Sequence, residues 1–178
     1  MDYKISETLY TKEQIAKRVH ELGEQITKDF AGQEVLIVGI LKGSIPFMAD
    51  LIREIDLDVT LDTMTVSSYG GGTQTSGQVK IKKDLDTDIK GKNVIIVEDI
   101  IDSGLTLSNL VPLLMTREPA CIKVCSMLDK PSRRVVEFEG DYIGFTIEDK
   151  FIVGYGLDYD QHLRQLPDIR CIEESNND

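Results

Sequence analysis

Apolar positions along this 178-residue chain alternate between two periods, and the changes of period mark its elements. Ile15, Val19, Leu22 and Ile26 recur at helical spacing. They follow Thr11 and Gln14, whose separation is that of a capping box, so a helix is predicted to open there. Glu34-Val35-Leu36-Ile37-Val38-Gly39-Ile40 is nearly continuous apolar sequence, the pattern of a strand covered on both faces. A second helix is predicted from about Ser44, with Ile45, Met48, Leu51, Ile52 and Ile55 facing inward. Leu57, Val59 and Leu61 alternate as a half-buried strand should, and Val66 continues in a shifted phase, which predicts a bulge near residues 62–64. Residues 93–97 read as a further buried strand, 105–115 as the helix after it, and 121–128, 142–147 and 151–153 as more strands. The polar tail from Glu173 is expected to fray. Strand and helix alternate, which predicts an α/β fold with a mostly parallel central sheet and helices on its faces, in one domain over residues 1–178. Ligands of such sheets sit beyond the carboxyl ends of the strands.

Composition narrows the function. Asp and Glu total 31 against 20 Lys and Arg, a net charge of −11, so the surface repels phosphate backbones at long range, which argues against broad nucleic-acid binding while leaving room for a local basic patch. The longest apolar run, residues 35–41, contains a glycine and stops at Lys42, too short for a membrane span. The opening Met1-Asp2-Tyr3-Lys4-Ile5 lacks the basic and apolar regions of a secretory signal. Cys121, Cys125 and Cys171 make an odd set without Cys-x-x-Cys spacing, and the first two lie in an apolar stretch, which favours packing over zinc or catalysis. A cytoplasmic protein with reduced thiols is expected.

One strand exit carries chemistry. Val94-Ile95-Ile96-Val97 leads into Glu98-Asp99, and Asp102-Ser103-Gly104-Leu105-Thr106 then turns into a helix. A glycine, two hydroxyls and backbone N–H groups at a helix N-terminus suit a phosphate monoester. Paired carboxylates nearby suit vicinal hydroxyls or a hydrated magnesium ion. Alone, Asp102 or Ser103 also reads as a helix cap, and Glu98-Asp99 as a solvated strand exit. In combination they point to a sugar phosphate, because adjacent carboxylates at the end of a buried strand repel one another without structural gain. The chain has neither Gly-x-x-x-x-Gly-Lys-Ser/Thr nor Gly-x-Gly-x-x-Gly, so nucleoside triphosphate and dinucleotide motifs are unsupported.

Residues 94–106 resemble the phosphoribosyl-diphosphate (PRPP) motif of the type I phosphoribosyltransferases, and the wider chain resembles the short bacterial hypoxanthine–guanine members. Leu41-Lys42-Gly43, Ser68-Tyr69, Asp129-Lys130-Pro131 and the run from Asp149 to Tyr159 carry that narrower likeness. Ser103 stands where Thr is more familiar, and Leu105 where the mammalian members have Lys. The resemblance implies a type I phosphoribosyltransferase fold with a small hood over the strand ends, and a non-proline cis peptide at Leu41–Lys42.

It also implies roles. Glu98 and Asp99 face the ribose hydroxyls and Mg2+, and Asp102, Ser103, Gly104, Leu105 and Thr106 hold the 5′-phosphate. Asp102 handles the proton on purine N7. Lys42, Gly43 and Arg164 take the diphosphate. Lys130 donates to the 6-oxo group, Phe151 stacks on the purine, Ile152 offers backbone to its edge, and Asp158 is a second magnesium ligand. Ser68 and Tyr69 open a glycine-rich loop, residues 67–77, expected to close over the site as a lid. The implied reaction joins PRPP to N9 of hypoxanthine or guanine, giving IMP or GMP and diphosphate, in a homodimer or homotetramer. The alternatives are a xanthine-preferring enzyme and a phosphoribosyltransferase-like RNA-binding regulator. Against the regulator, Lys130, Arg133 and Arg134 make too short a basic cluster to offset the net charge.

Overall fold

The computed structural model describes residues 3–68 and 79–174. Its centre is a six-stranded sheet built from β2 (Val35–Ile40), β3 (Val59–Ser68), β4 (Val79–Lys83), β5 (Asn93–Ile101), β6 (Cys121–Asp129) and β7 (Tyr142–Thr146). The spatial order is β4-β3-β2-β5-β6-β7. All neighbours are parallel except β3 and β4, which form an antiparallel edge. A second, antiparallel sheet joins β1 (Tyr3–Tyr10), β9 (Ile169–Glu174) and β8 (Ile152–Val153).

The helices follow from sequence. In α1 (Lys12–Asp29) the capping box is formed: Thr11 N donates to Gln14 Oε1 at 2.8 Å and Gln14 N to Thr11 Oγ1 at 3.3 Å. Its buried stripe is Ile15, Val19, Leu22 and Ile26. It packs with α2 (Ile45–Glu54) over Val35, Ile37, Ile95 and Val97. The other face of the same strands, Leu36, Val38, Val94 and Ile96, is covered by Leu107, Leu110 and Leu114 of α3 (Leu105–Met115). Burying each such side chain contributes roughly 1.5–3 kcal/mol. Continuous apolar runs in β2 and β5 are thereby explained: both faces are covered.

Four expectations are corrected. In α2, Ile45 is exposed, whereas Phe47 and Leu51 are buried. That helix is apolar on most sides, so periodicity alone did not select its inner face. In β3, Leu61 is exposed while Asp62 and Met64 are buried; Leu61 shares the face of Val59, beyond the cover of the helices. The register shift opposite β4 lies between Thr65 and Val66 rather than at residues 62–64. Glu173 is not frayed but belongs to β9, paired with Lys4. Cys125 and Cys171 are buried, Cys121 is half-buried, and all three are free thiols. Among the described residues no helix is long and apolar enough to cross a membrane.

The parallel strands β2, β5 and β6 all end on one side. There the chain places the cis peptide Leu41–Lys42, as the resemblance implies, together with the β5–α3 turn and Lys130.

Candidate active site

The β5 strand continues past Val97, pairing Glu98 with Ser126 and Ile101 with Asp129 of β6. The chain then turns through Asp102 and Ser103 into α3. Gly104 occupies the N-cap at φ 80°, a left-handed conformation that favours glycine. Ser103 Oγ accepts from Leu105 N at 3.3 Å. The first turn of a helix leaves N–H groups without intrahelical partners, at the positive end of its dipole. They border a cavity of about 110 Å3 walled by Glu98, Ile101, Asp102, Ser103, Gly104 and Thr106. A neighbouring cleft of about 380 Å3 is shared by Asp102, Ser103, Ser132, Arg133 and Arg134. Asp102 Oδ1 lies 3.4 Å from Arg133 Nε.

Glu98 is buried, and burial pushes its carboxyl well above the usual range, with the charge of Asp99 adding to the effect. Burial likewise raises Asp99 to about 6; Arg164 opposes this and Asp158 reinforces it. Asp99 Oδ1 accepts from Ile100 N at 2.7 Å, and its other oxygen lies against Gly43, so close that a Cβ on Gly43 would overlap it.

Lys42 and Arg164 are gathered by one atom. Gln161 Oε1 accepts from Lys42 Nζ and from Arg164 Nη2, each at 3.3 Å. Arg164 also donates to Gly156 O at 2.7 Å and pairs with Asp158 at 2.9 Å. Its Nε is buried and has no hydrogen-bond partner among the described residues, an atom suited to a ligand oxygen. Gly156, at φ 100°, packs on the carbonyl of Gly43. The order across the site is thus Asp99, Gly43, Gly156, Arg164. A larger, mainly apolar cavity of about 420 Å3 lies behind Arg164, between α1, α2 and Leu166. The hydroxyls of Ser103, Thr106 and Ser132 lie instead at the two smaller clefts, with Glu98 and Asp102.

On the far side, Lys130 follows β6 and is 8% exposed. Its Nζ donates to Lys150 O at 2.6 Å and lies 3.6 Å from Asp149. This ties the β6 exit to the segment entering β8. Phe151 presents its ring to solvent at 57% exposure, edge-on to Tyr159 with centroids 5.8 Å apart. Ile152 is buried, and its strand pairs it with Cys171. An aromatic face, a buried ammonium and a strand edge therefore converge beside Asp102's turn.

The sequence model of the phosphoribosyl transferase domain matches residues 6–160. The chain belongs to the phosphoribosyltransferase family. It is 50% identical to a protein of Streptococcus pneumoniae (strain ATCC BAA-255 / R6) over 174 residues, 98% of this chain and 97% of that one. It is also 50% identical to one of Bacillus subtilis (strain 168) over 173 residues, 97% and 96% of the two chains. Both carry the name hypoxanthine-guanine phosphoribosyltransferase. A crystal structure of a hypoxanthine-guanine phosphoribosyltransferase from Bacillus anthracis superposes with a TM-score of 0.90 at 47% identity, covering 96% of this chain and 99% of that one. A hypoxanthine phosphoribosyltransferase from Staphylococcus aureus gives 0.92 at 46% identity, covering 95% and 92%.

Within this phosphoribosyltransferase, the residues singled out from sequence converge on one end of the sheet, with two qualifications. Tyr69 and most of the glycine-rich loop lie outside the described residues, and Ser68 is the last residue of β3. Among the described residues no three acidic, histidine or cysteine side chains form a metal-holding group, so Glu98, Asp99 and Asp158 do not make a closed cage. Sequence offers no signal at Gln161, and Gly156 stands out only as part of the run from Asp149 to Tyr159, with no role of its own. Gln161 sits in a run of left-handed backbone, at Asp160, Gln161 and Leu163, and composition marks such a stretch only as a polar loop.

Proposed function

We propose that this phosphoribosyltransferase moves the 5-phosphoribosyl group of PRPP to N9 of hypoxanthine or guanine, releasing diphosphate and yielding IMP or GMP. The observation that carries this is the β5–α3 exit, where the adjacent carboxylates of buried Glu98 and half-buried Asp99 and a glycine-turned helix N-terminus lie within nine residues. The N–H groups of residues 103–106 hold the 5′-phosphate. Glu98 and Asp99 accept the ribose hydroxyls. Lys42, the Gly43 backbone and Arg164 receive the leaving diphosphate, where negative charge grows in the transition state. Lys130 donates to the 6-oxo group, Phe151 stacks on the base, and Ile152 offers its backbone to the purine edge. Asp102 takes the proton from purine N7 as the glycosidic bond forms.

The donor set also fits Mg2+. It is all carboxylate oxygen, burial opposes ionisation of Glu98 and Asp99, and an open set suits an ion that keeps water and takes substrate oxygens. Asp99 and Asp158 would contact it, and when bound it would neutralise diphosphate charge. Free thiols at Cys121, Cys125 and Cys171 support a reducing, cytoplasmic setting.

The test is nucleotide formation from PRPP and Mg2+ with hypoxanthine, guanine, xanthine or adenine offered separately. Product on hypoxanthine or guanine, abolished by chelation, is expected. Product on xanthine alone would replace the substrate, and no product from folded, PRPP-binding protein would overturn the enzyme reading.

A further inference from the structure

Arg133 and Arg134 have no part in the reaction as set out above, yet Arg134 is one of the most fully engaged side chains in the molecule. It follows a short 3-10 helix, Pro131–Arg133, directly after Lys130. Its guanidinium is 15% exposed and pairs through Nη2 with the carboxylate of Asp129, itself 13% exposed. Nε donates to Phe138 O at 2.8 Å. Nη1 donates to Asp102 O at 2.7 Å and to Ile101 O at 3.1 Å.

These last two contacts belong to a larger set. Ile101 O also accepts from Lys130 N at 2.9 Å, and Ser103 O accepts from Val135 N at 3.1 Å. Three consecutive carbonyls, those of Ile101, Asp102 and Ser103, are therefore all held by residues 130–135. A peptide unit is planar, so fixing a carbonyl fixes the direction of the next residue's N–H. Holding the carbonyls of Asp102 and Ser103 on the side of Arg134 aims the N–H groups of Ser103 and Gly104 the opposite way. Gly104 completes the packing: a Cβ there would come within 3.1 Å of Arg134 Cδ.

We propose that Arg134 is a positioning residue for the phosphate turn, fixing the backbone N–H groups of Ser103 and Gly104 and joining that turn to the segment bearing Lys130. The inference rests on the reading of residues 103–106 as the 5′-phosphate site. A planar guanidinium reaches two carbonyls and a carboxylate together, which a lysine ammonium cannot do in the same geometry. The N–H groups of Arg134 are engaged by Phe138, Ile101, Asp102 and Asp129, so its loss acts through the turn and selectively weakens ligands that carry the phosphate.

The experiment compares dissociation constants of IMP and inosine for the wild-type protein, Arg134→Lys, Arg134→Gln and Asp129→Asn. Wild-type protein is expected to bind IMP more tightly than inosine. Arg134→Gln should lower IMP affinity at least about tenfold while inosine affinity changes by less than about twofold, as expected for loss of charge-assisted hydrogen bonds that act on one subsite. Arg134→Lys should recover part of that loss, and the PRPP KM should rise more than the hypoxanthine KM. Asp129→Asn leaves the arginine in place but removes its carboxylate partner. It should move the IMP-to-inosine ratio in the same direction by less, and it decides the matter if the Arg134 variants do not fold. Equal losses for IMP and inosine, or an unchanged ratio, would overturn the positioning role. A wild-type protein that binds inosine as tightly as IMP would instead overturn the phosphate-site reading on which it rests.

Discussion

Gly43 has room for a hydrogen and nothing larger, because the carboxylate of Asp99 fills the place where a side chain would begin. Asp99 cannot easily retreat, since its other oxygen is held by Ile100 N at 2.7 Å. Gly43→Ala is therefore expected to displace Asp99 and the Lys42–Gly43 segment together. A misplacement of about 1 Å is worth roughly 100-fold in rate, and steady-state kinetics should show a fall in kcat/KM for PRPP of that order. A smaller change in the hypoxanthine KM is expected alongside it.

Asp102 tests the chemistry itself. Its carboxylate stands at the mouth of the turn, beside Arg133 Nε at 3.4 Å. Asp102→Ala should reduce kcat by about 10²–10⁴-fold, the usual scale of general acid–base catalysis. PRPP affinity, read by isothermal titration, should stay near the wild-type value; its loss would make Asp102 a structural cap.

Lys130 tests recognition of the base. Its buried ammonium already faces Lys150 O and Asp149, so it is held in place before a purine arrives. Hydrogen bonds from a charged donor contribute about 1.5–3 kcal/mol. Lys130→Ala should thus raise the KM for hypoxanthine about 10- to 100-fold, with a smaller change for PRPP, measured by varying each substrate separately. Equal increases would remove Lys130 from base recognition.

Asp62 makes a prediction about stability. Burial opposes its ionisation, but N–H groups of Thr63 and Thr87 hold the carboxyl below its ordinary value of 3.8. Oδ1 accepts from Thr63 N and Lys83 Nζ, Oδ2 from Asp86 N and Thr87 N. An amide turned either way points its NH2 at two donors, so Asp62→Asn should cost about 1–3 kcal/mol at neutral pH. Because the folded pKa is depressed, the stabilisation is present above the unfolded value and is lost as pH falls through the folded one. Urea unfolding should show the two proteins converging in stability only below pH 3.8.

Asp62 also shows where sequence reading stops. The pattern around residues 57–66 fits a strand, but which face is buried depends on how far the helices extend across the sheet, and no local period carries that information. The same holds for α2, where Ile45 and Phe47 are both apolar and only packing against β2 and β5 chooses between them. Local signals did better. The capping box at Thr11, the continuous runs in β2 and β5, and the span of α3 are each set by short-range chemistry, and the structure follows them. The candidate site was legible where a strand exit concentrates carboxylates, hydroxyls and glycine. It was illegible at Gln161 and Arg134, whose contacts at Lys42 and at the Ile101 and Asp102 carbonyls are 119, 33 and 32 residues away in sequence. β1 and β9 were missed for the same reason, since each finds its partner at the opposite end of the chain.

That pairing sets an order of assembly on the ribosome. Every pair in the six-stranded sheet closes within residues 35–146, so the turn from β5 into α3 can be complete before residues 147–174 have been made. β8 finds its only strand partner, among the described residues, in β9, and β9 also joins β1, with Tyr3 opposite Glu174. Contacts between such distant positions form late because the intervening chain must first be ordered. The growing polypeptide therefore completes its antiparallel sheet last, once β9 has emerged to join β1 and β8.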